Sequence, residues 1–144
     1  MIRRAEKKDY EKIMEIWKNS NIKAHEFIDK GYWIGNYENV RDNYLPISDT
    51  YLLEEGGEIK GFISLIDSTF IGGLFCGVNN QCKGYGTRLL NFVKERYPFL
   101  ELAVYDKNVK ALEFYQKNSF KIVKTQVDEE TGELEHIMEW KNKE

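Results

Sequence analysis

The chain has only two cysteines, Cys76 and Cys82. That excludes a disulfide framework and suits a reducing compartment. Its two histidines, His25 and His136, fall at no metal-ligand spacing with them, so no metal is expected. No apolar run approaches the roughly 20 residues a membrane helix needs, which excludes a membrane partner. No block of lysine or arginine stands alone and the net charge is −3, which argues against non-specific nucleic-acid binding. The opening Met1-Ile2-Arg3-Arg4-Ala5-Glu6 turns charged before an apolar signal core could form. A cytoplasmic location is therefore expected.

What is present fits one globular domain spanning residues 1–144. Apolar residues make up 42% of the chain and charged residues 31%. Residues 1–5 read as an edge strand. Asp9 can cap a helix, after which Tyr10, Ile13, Met14 and Trp17 recur at helical spacing. Residues 20–47 are aromatic-rich and read as one or two short helices ending at Pro46. Tyr51-Leu52-Leu53 and the run Ile59–Ile66 flank Gly56-Gly57, a hairpin signal. A further strand is predicted from about Thr69 to Val78. A helix follows through Leu89, Phe92 and Val93 and stops at Pro98. Leu100, Leu102 and Val104 alternate as a strand, Asn108 to Asn118 reads as a helix, and Phe120 and Ile122 open another strand. A polar turn at 128–133 precedes a last strand through Leu134, His136, Met138 and Trp140. The fold class is α/β (α+β): a single mixed sheet of about seven strands, mostly antiparallel, with helices on both faces.

The most informative stretch is Gln81-Cys82-Lys83-Gly84-Tyr85-Gly86-Thr87. It lies between an apolar strand and a helical pattern. The first turn of a helix has N–H groups without intrahelical partners, and the helix dipole places positive charge there. Gly84 and Gly86 permit close approach of a ligand and positive φ. The loop thus reads as a phosphate or pyrophosphate cradle, although a plain strand-to-helix turn would use the same residues. It is neither a Walker A loop nor a dinucleotide fingerprint, because Leu89 stands where a third glycine would fall.

The loop and its surroundings resemble the GNAT superfamily of acyl-CoA-dependent N-acyltransferases. The family's Gln/Arg-x-x-Gly-x-Gly/Ala pattern stands here as Gln81-Cys82-Lys83-Gly84-Tyr85-Gly86. Its Asn, Ala and Phe-Tyr on a later helix stand as Asn108, Ala111 and Phe114-Tyr115. Ser119 occupies the place of a usual glycine, and Val78 that of a frequent proline. The resemblance implies acetyl-CoA as co-substrate, with its pyrophosphate on the N–H groups of Gln81, Cys82, Lys83, Gly84, Tyr85, Gly86 and Thr87. It implies a pantetheine arm along Leu74 and Cys76, and Asn108 bonded to the arm or to nearby backbone. The activity implied is acetyl transfer to a primary amine by direct attack, the acceptor being a protein or a small molecule.

Tyr115 is then the candidate acid for the thiolate leaving group, since a phenol of pKa near about 10 carries the required proton. The residues alone also fit a core aromatic beside Phe114. His25, Phe27 and Trp33 lie where the family shapes its acceptor pocket. They read equally as a cage for a cationic amine, with His25 as a base, and as core packing. Glu26, Glu54 and Glu101 are possible members of a water relay. Cys82 has no base partner to make it a nucleophile, and Cys76 reads as a buried strand residue. A non-catalytic acyl-CoA sensor on the same fold, and a phosphate-ligand binding protein, are the alternative function classes. The aromatics from Tyr32 to Tyr44 could serve a pocket or a homodimer contact.

Overall fold

The computed structural model describes residues 1–77 and 84–142. Gln81, Cys82 and Lys83 of the predicted cradle, with Val78, lie outside the described residues.

Three-residue β1 (Ile2–Arg4) pairs with β2 (Asp49–Glu55), and β2 with β3 (Glu58–Ile66) through the Gly56-Gly57 turn. Both glycines there have positive φ, at 60° and 77°. The antiparallel run continues into β4 (Phe70–Cys76). Beyond it lie β5 (Phe99–Tyr105), β6 (Lys121–Val127) and β7 (Leu134–Lys141). The sheet has seven strands in the order β1-β2-β3-β4-β5-β7-β6. Every pairing is antiparallel except β4 with β5, which is parallel and has Phe70 opposite Glu101 as its sole registered pair. Glu101 N–H also donates to Thr69 O at 2.8 Å. The two strands are thus fastened at the start of β4, and pairing is not resumed toward Cys76.

Strand alternation sorts apolar residues onto two faces. Leu53, Ile63 and Leu65 point to one, where α3 (Tyr85–Lys94) contributes Leu89, Leu90 and Val93, and α4 (Val109–Lys117) packs on its rim. Leu52 and Phe62 point to the other. There α1 (Tyr10–Ala24) contributes Ile13, Met14 and Trp17, and α2 (Lys30–Asn39) contributes Trp33. After α2 the chain continues helically through a wide turn, Val40–Tyr44, and a tight one, Leu45–Ile47, so the aromatic-rich region is more continuous than short helices would be.

Asp9 does not cap α1 as expected. The tight turn Lys7–Asp9 aims its carboxylate backward. There it accepts from Glu6 N–H at 2.8 Å and from both Arg3 terminal nitrogens, at 2.8 and 3.0 Å. A bidentate charged partner outweighs one orphan amide. The guanidinium holds the buried carboxyl below its usual pKa and ties β1 to the start of α1.

The end of α4 fixes a residue of later importance. Ser119 N–H donates to Gln116 O at 3.1 Å, and Phe120 N–H to Tyr115 O at 3.0 Å. This is the Schellman closure, which needs a left-handed residue just past the helix. Ser119 adopts it with φ of 73°. The Tyr115 and Phe120 rings meet edge to face at 5.5 Å across the same turn. A side chain in this conformation costs about 1–2 kcal/mol, part of which glycine recovers. Ser119→Gly is therefore expected to raise stability by about 1 kcal/mol in urea unfolding. An unchanged or lower midpoint would contradict the strain.

Candidate active site

Where β5 leaves β4, a cleft of about 870 Å³ opens. Leu74, Phe75 and Cys76 form one wall, and the first turn of α3, Gly84 to Thr87, another. Asn108, Ala111, Phe114 and Tyr115 line it from α4, and Ser20 and Lys23 from α1. Asn108, Ala111 and Tyr115, one stripe by helical spacing, thus share the cleft with Leu74 and Cys76. Phe27 and Glu26 lie at its edge near the end of α1.

The main chain of β4 is oriented for use. Gly77 N–H donates to Lys60 O at 2.9 Å, which makes residues 60 and 77 a bonded pair. In an antiparallel ladder bonded and non-bonded pairs alternate. The next pair, Gly61 and Cys76, is non-bonded, as is Ile63 with Leu74. The N–H and C=O groups of Leu74 and Cys76 therefore point away from β3 and into the gap. Ser20 Oγ donates to Cys76 O at 3.1 Å, anchoring α1 to the strand end. Gly61 makes the close pairing possible, because a Cβ there would lie 2.8 Å from Phe75 O. Cys76, expected to be buried, is only half-buried, since no strand covers β4 here.

At the N-terminus of α3, Gly84 has φ of 80°, a left-handed conformation that favours glycine. Arg88 N–H donates to Gly84 O at 3.1 Å. The N–H groups of Tyr85, Gly86 and Thr87 precede that first intrahelical bond and have no helical acceptor. The Phe114 ring lies 3.5 Å from the Cβ position of Gly86, ordinary contact distance, so α4 packs against the side of α3 here. Lys23, Lys107 and Lys110 add positive charge to the cleft. Nothing in the sequence singled them out, because lysines scattered among 21 basic residues show no pattern until the fold collects them.

His25 and Trp33 do not line the cleft; they are buried behind it, 7% and 8% exposed. The His25 ring stacks on Trp33 with centroids 5.2 Å apart and meets Phe27 and Tyr105 edge-on. Burial lowers its pKa to about 4, with the Asn21 carbonyl acting weakly the other way, so the ring is neutral at neutral pH. Its tautomer follows from α4. Ala111 N–H donates to Asn108 Oδ1 at 3.4 Å as the helix cap, so Asn108 Nδ2 is the group facing His25 Nε2 at 3.1 Å. An amide nitrogen only donates. Nε2 therefore accepts, and the proton sits on Nδ1, which is buried without a well-formed partner. Asn108 thus joins the cleft wall, the start of α4 and the end of α1.

Glu54 is bonded to Arg3 at 3.2 Å, and Glu101 sits at the fastened end of the seam; neither lines the cleft. His136 bridges Asp106 Oδ1 and Thr125 Oγ1 at 2.7 and 2.8 Å, a structural tie. Tyr115 is half-buried between Phe114 and Phe120, at 5.2 and 5.5 Å. Burial, and to a lesser degree the Cys76 thiol, raises its pKa well above the phenol value, so the hydroxyl keeps its proton. Among the described residues no His, Cys, Asp and Glu group could hold a metal, and no helix is long and apolar enough to cross a membrane.

The depressed pKa of His25 has a thermodynamic signature. Above pH 6.5 the ring is neutral in both folded and unfolded chains. Between 6.5 and about 4 only the unfolded chain takes up the proton. Stability is therefore full above that window and falls through it as pH drops, by up to about 3 kcal/mol. Denaturant titrations from pH 7.5 to 4 are expected to show this slope in the native chain and not in His25→Asn. An identical slope in both would assign it elsewhere.

Residues 10–120 match the acetyltransferase (GNAT) family. Over 140 residues the chain is 36% identical to peptidyl-lysine N-acetyltransferase YiaC of Escherichia coli K12, covering 97% of this chain and 96% of that protein. The fold resembles the apo-form YjaB solution structure from Escherichia coli, with a TM-score of 0.84 at 24% identity, covering 99% of this chain and 97% of that one. It also resembles the PaiA N-acetyltransferase of Thermoplasma acidophilum in complex with coenzyme A, with a TM-score of 0.80 at 20% identity and 98% of each chain covered. A cleft at an unfinished parallel seam, main-chain groups turned into it and a helix N-terminus at its mouth accompany a match over most of the sequence, and the chain belongs to the GNAT acetyltransferase family.

Proposed function

We propose that this acetyltransferase moves the acetyl group of acetyl-CoA to a primary amine of a polypeptide, a lysine side chain first, by direct attack in a ternary complex. The observation that carries this is the seam between β4 and β5. It leaves main-chain groups of Leu74 and Cys76 facing a gap that ends at the first-turn N–H groups of α3. The printed activity of the 36% identical relative supports a polypeptide lysine as acceptor.

In this reading the diphosphate rests on the amides of residues 81–87, with Lys23, Lys107 and Lys110 balancing its charge. The pantetheine arm lies beside Leu74 and Cys76 as an added strand. Asn108 shapes its path while its own amide is held by His25. The amine nitrogen attacks the thioester carbonyl carbon. A main-chain N–H near Cys76 stabilises the oxyanion, the C–S bond breaks, and Tyr115 O–H protonates the departing thiolate.

His25 is poorly suited to be the base: it is buried, its Nε2 is occupied by Asn108, and its basicity is suppressed. Glu26, a carboxylate on the cleft wall, is the better candidate to remove the ammonium proton through water. Phe27 beside it and Lys107 above its ring, at 5.6 Å, border the acceptor's approach. Trp33 and His25 act there from behind, as the packing that fixes Phe27.

Tyr115→Phe is expected to lower kcat by up to about 100-fold with little change in the KM for acetyl-CoA. Unchanged turnover from acidic to alkaline pH would remove Tyr115 from the mechanism. Calorimetric titration should show binding of acetyl-CoA and none of ATP or NAD, with thiol released only when a lysine peptide is present. A burst of thiol before peptide is added would mean an acyl-enzyme and overturn direct attack.

A further inference from the structure

A second cavity, of about 220 Å³, opens on the α1 face of the sheet. Met14 and Trp17 form one wall and Val40 another, over a floor that includes Ser64 and Gly73. The floor is open because Gly73 has no side chain; a Cβ there would lie 3.1 Å from the Phe75 ring. This pocket and the cleft are consecutive along the same two elements. On α1, Trp17 faces the pocket, and Ser20, about one turn on, faces the cleft. On β4, Gly73 lies in the pocket and Cys76 in the cleft, about 10 Å further along the strand.

A chain of hydroxyls fixes the polarity of the pocket's floor at Ser64, while the exposed Tyr44 also borders the pocket. Ser48 Oγ lies 2.9 Å from Leu45 O, and a carbonyl only accepts, so the one Ser48 proton goes there. Across 3.1 Å Ser48 must then accept from Thr50 Oγ1. Thr50 in turn must accept from Ser64 Oγ at 2.7 Å. Ser64 keeps a lone pair and has no proton left to give. Among the described residues no charged side chain lines this pocket. Its fitting occupant is an apolar body with one hydrogen-bond donor, and a charged group would be desolvated there without a partner. A dry cavity of about 150 Å³ holds benzene, so this one has room for a substituted ring.

We propose that the pocket is a specificity subsite for a donor-bearing aromatic side chain, tyrosine or tryptophan, on the acceptor polypeptide. It rests on the reading of the chain as a polypeptide-amine acetyltransferase. The aromatic residue docks against α1 and β4 while the amine reaches the thioester about 10 Å away, so the subsite selects which lysine of a chain is presented.

The binding test needs no catalysis. Methyl-detected NMR of the full chain is titrated with p-cresol and with toluene. Shifts are expected at Ile13, Met14 and Val40, with p-cresol binding about 5–10-fold tighter, and Ser64→Ala should erase that difference. Equal affinities, or no shift at these methyls, overturn the proposal. Lysine peptides with Tyr, Phe, Ala or Glu scanned through the flanking positions then test the occupant. One register is expected at which Tyr exceeds Ala about 10-fold in kcat/KM. Val40→Phe, which fills the pocket from its rim, should abolish the preference without slowing transfer to a lysine amide that has no flanking residues. A flat profile with p-cresol still bound overturns the acceptor assignment alone. Failure of every lysine substrate, with acetyl-CoA bound, defeats the underlying function and removes the subsite's occupant with it.

Discussion

The parallel contact between β4 and β5 is confined to Phe70 and Glu101, and the whole site follows from that confinement. From that fastened end the two strands part, β4 staying paired with β3 and β5 with β7. Divergence leaves the outward main-chain groups of Leu74 and Cys76 without a neighbouring strand. Buried polar main chain seeks a partner. One of these groups, Cys76 O, already takes the Ser20 hydroxyl. The outward groups of Leu74 face the same gap, which ends at the first turn of α3. Sheet geometry thus creates the cleft, and the side chains refine it.

The two faces of the sheet divide the work. On one, α3 and α4 meet where Phe114 packs beside Gly86, and Tyr115 stands in the cleft wall. On the other, α1 runs past both cavities; Ser20 ties it to β4, and His25 at its end is tied through Asn108 to the start of α4. His25 and Trp33 fill the space behind, stacked and out of reach of solvent. The buried neutral imidazole accepts from an amide whose other end caps α4. A disturbance at the end of α1 is therefore felt at the cleft through one hydrogen bond.

Much of this was legible in the residues. The hairpin at Gly56-Gly57, the helical spacing from Tyr10 to Trp17 and the alternation from Leu100 to Val104 each reflect a local period that the fold keeps. The stripe of Asn108, Ala111 and Tyr115 was legible for the same reason. What could not be read depended on partners far away in sequence. Asp9 looked like a helix cap because its charge partner, Arg3, belongs to another element. For His25 the pocket and core readings stood level, because nothing local reveals that Trp33, Phe27 and Tyr105 enclose it. Cys76 looked buried because the departure of β5 is a property of the sheet and not of β4. The pocket beside Gly73 left no trace at all, since it arises from α1, β3 and the turns after α2 together.

In the proposed complex an unclosed seam also makes the sheet a composite whose last member would arrive from solution. There the thioester's arm would give β4 a neighbour along this edge, a place where another extended chain could otherwise add. Ligand that binds only the folded form deepens its free-energy well in proportion to the logarithm of its concentration. Supply of the acyl donor would then govern how long the molecule survives as well as how fast it turns over. A starved compartment would hold enzyme that is idle and, for the same reason, easier for a protease to open.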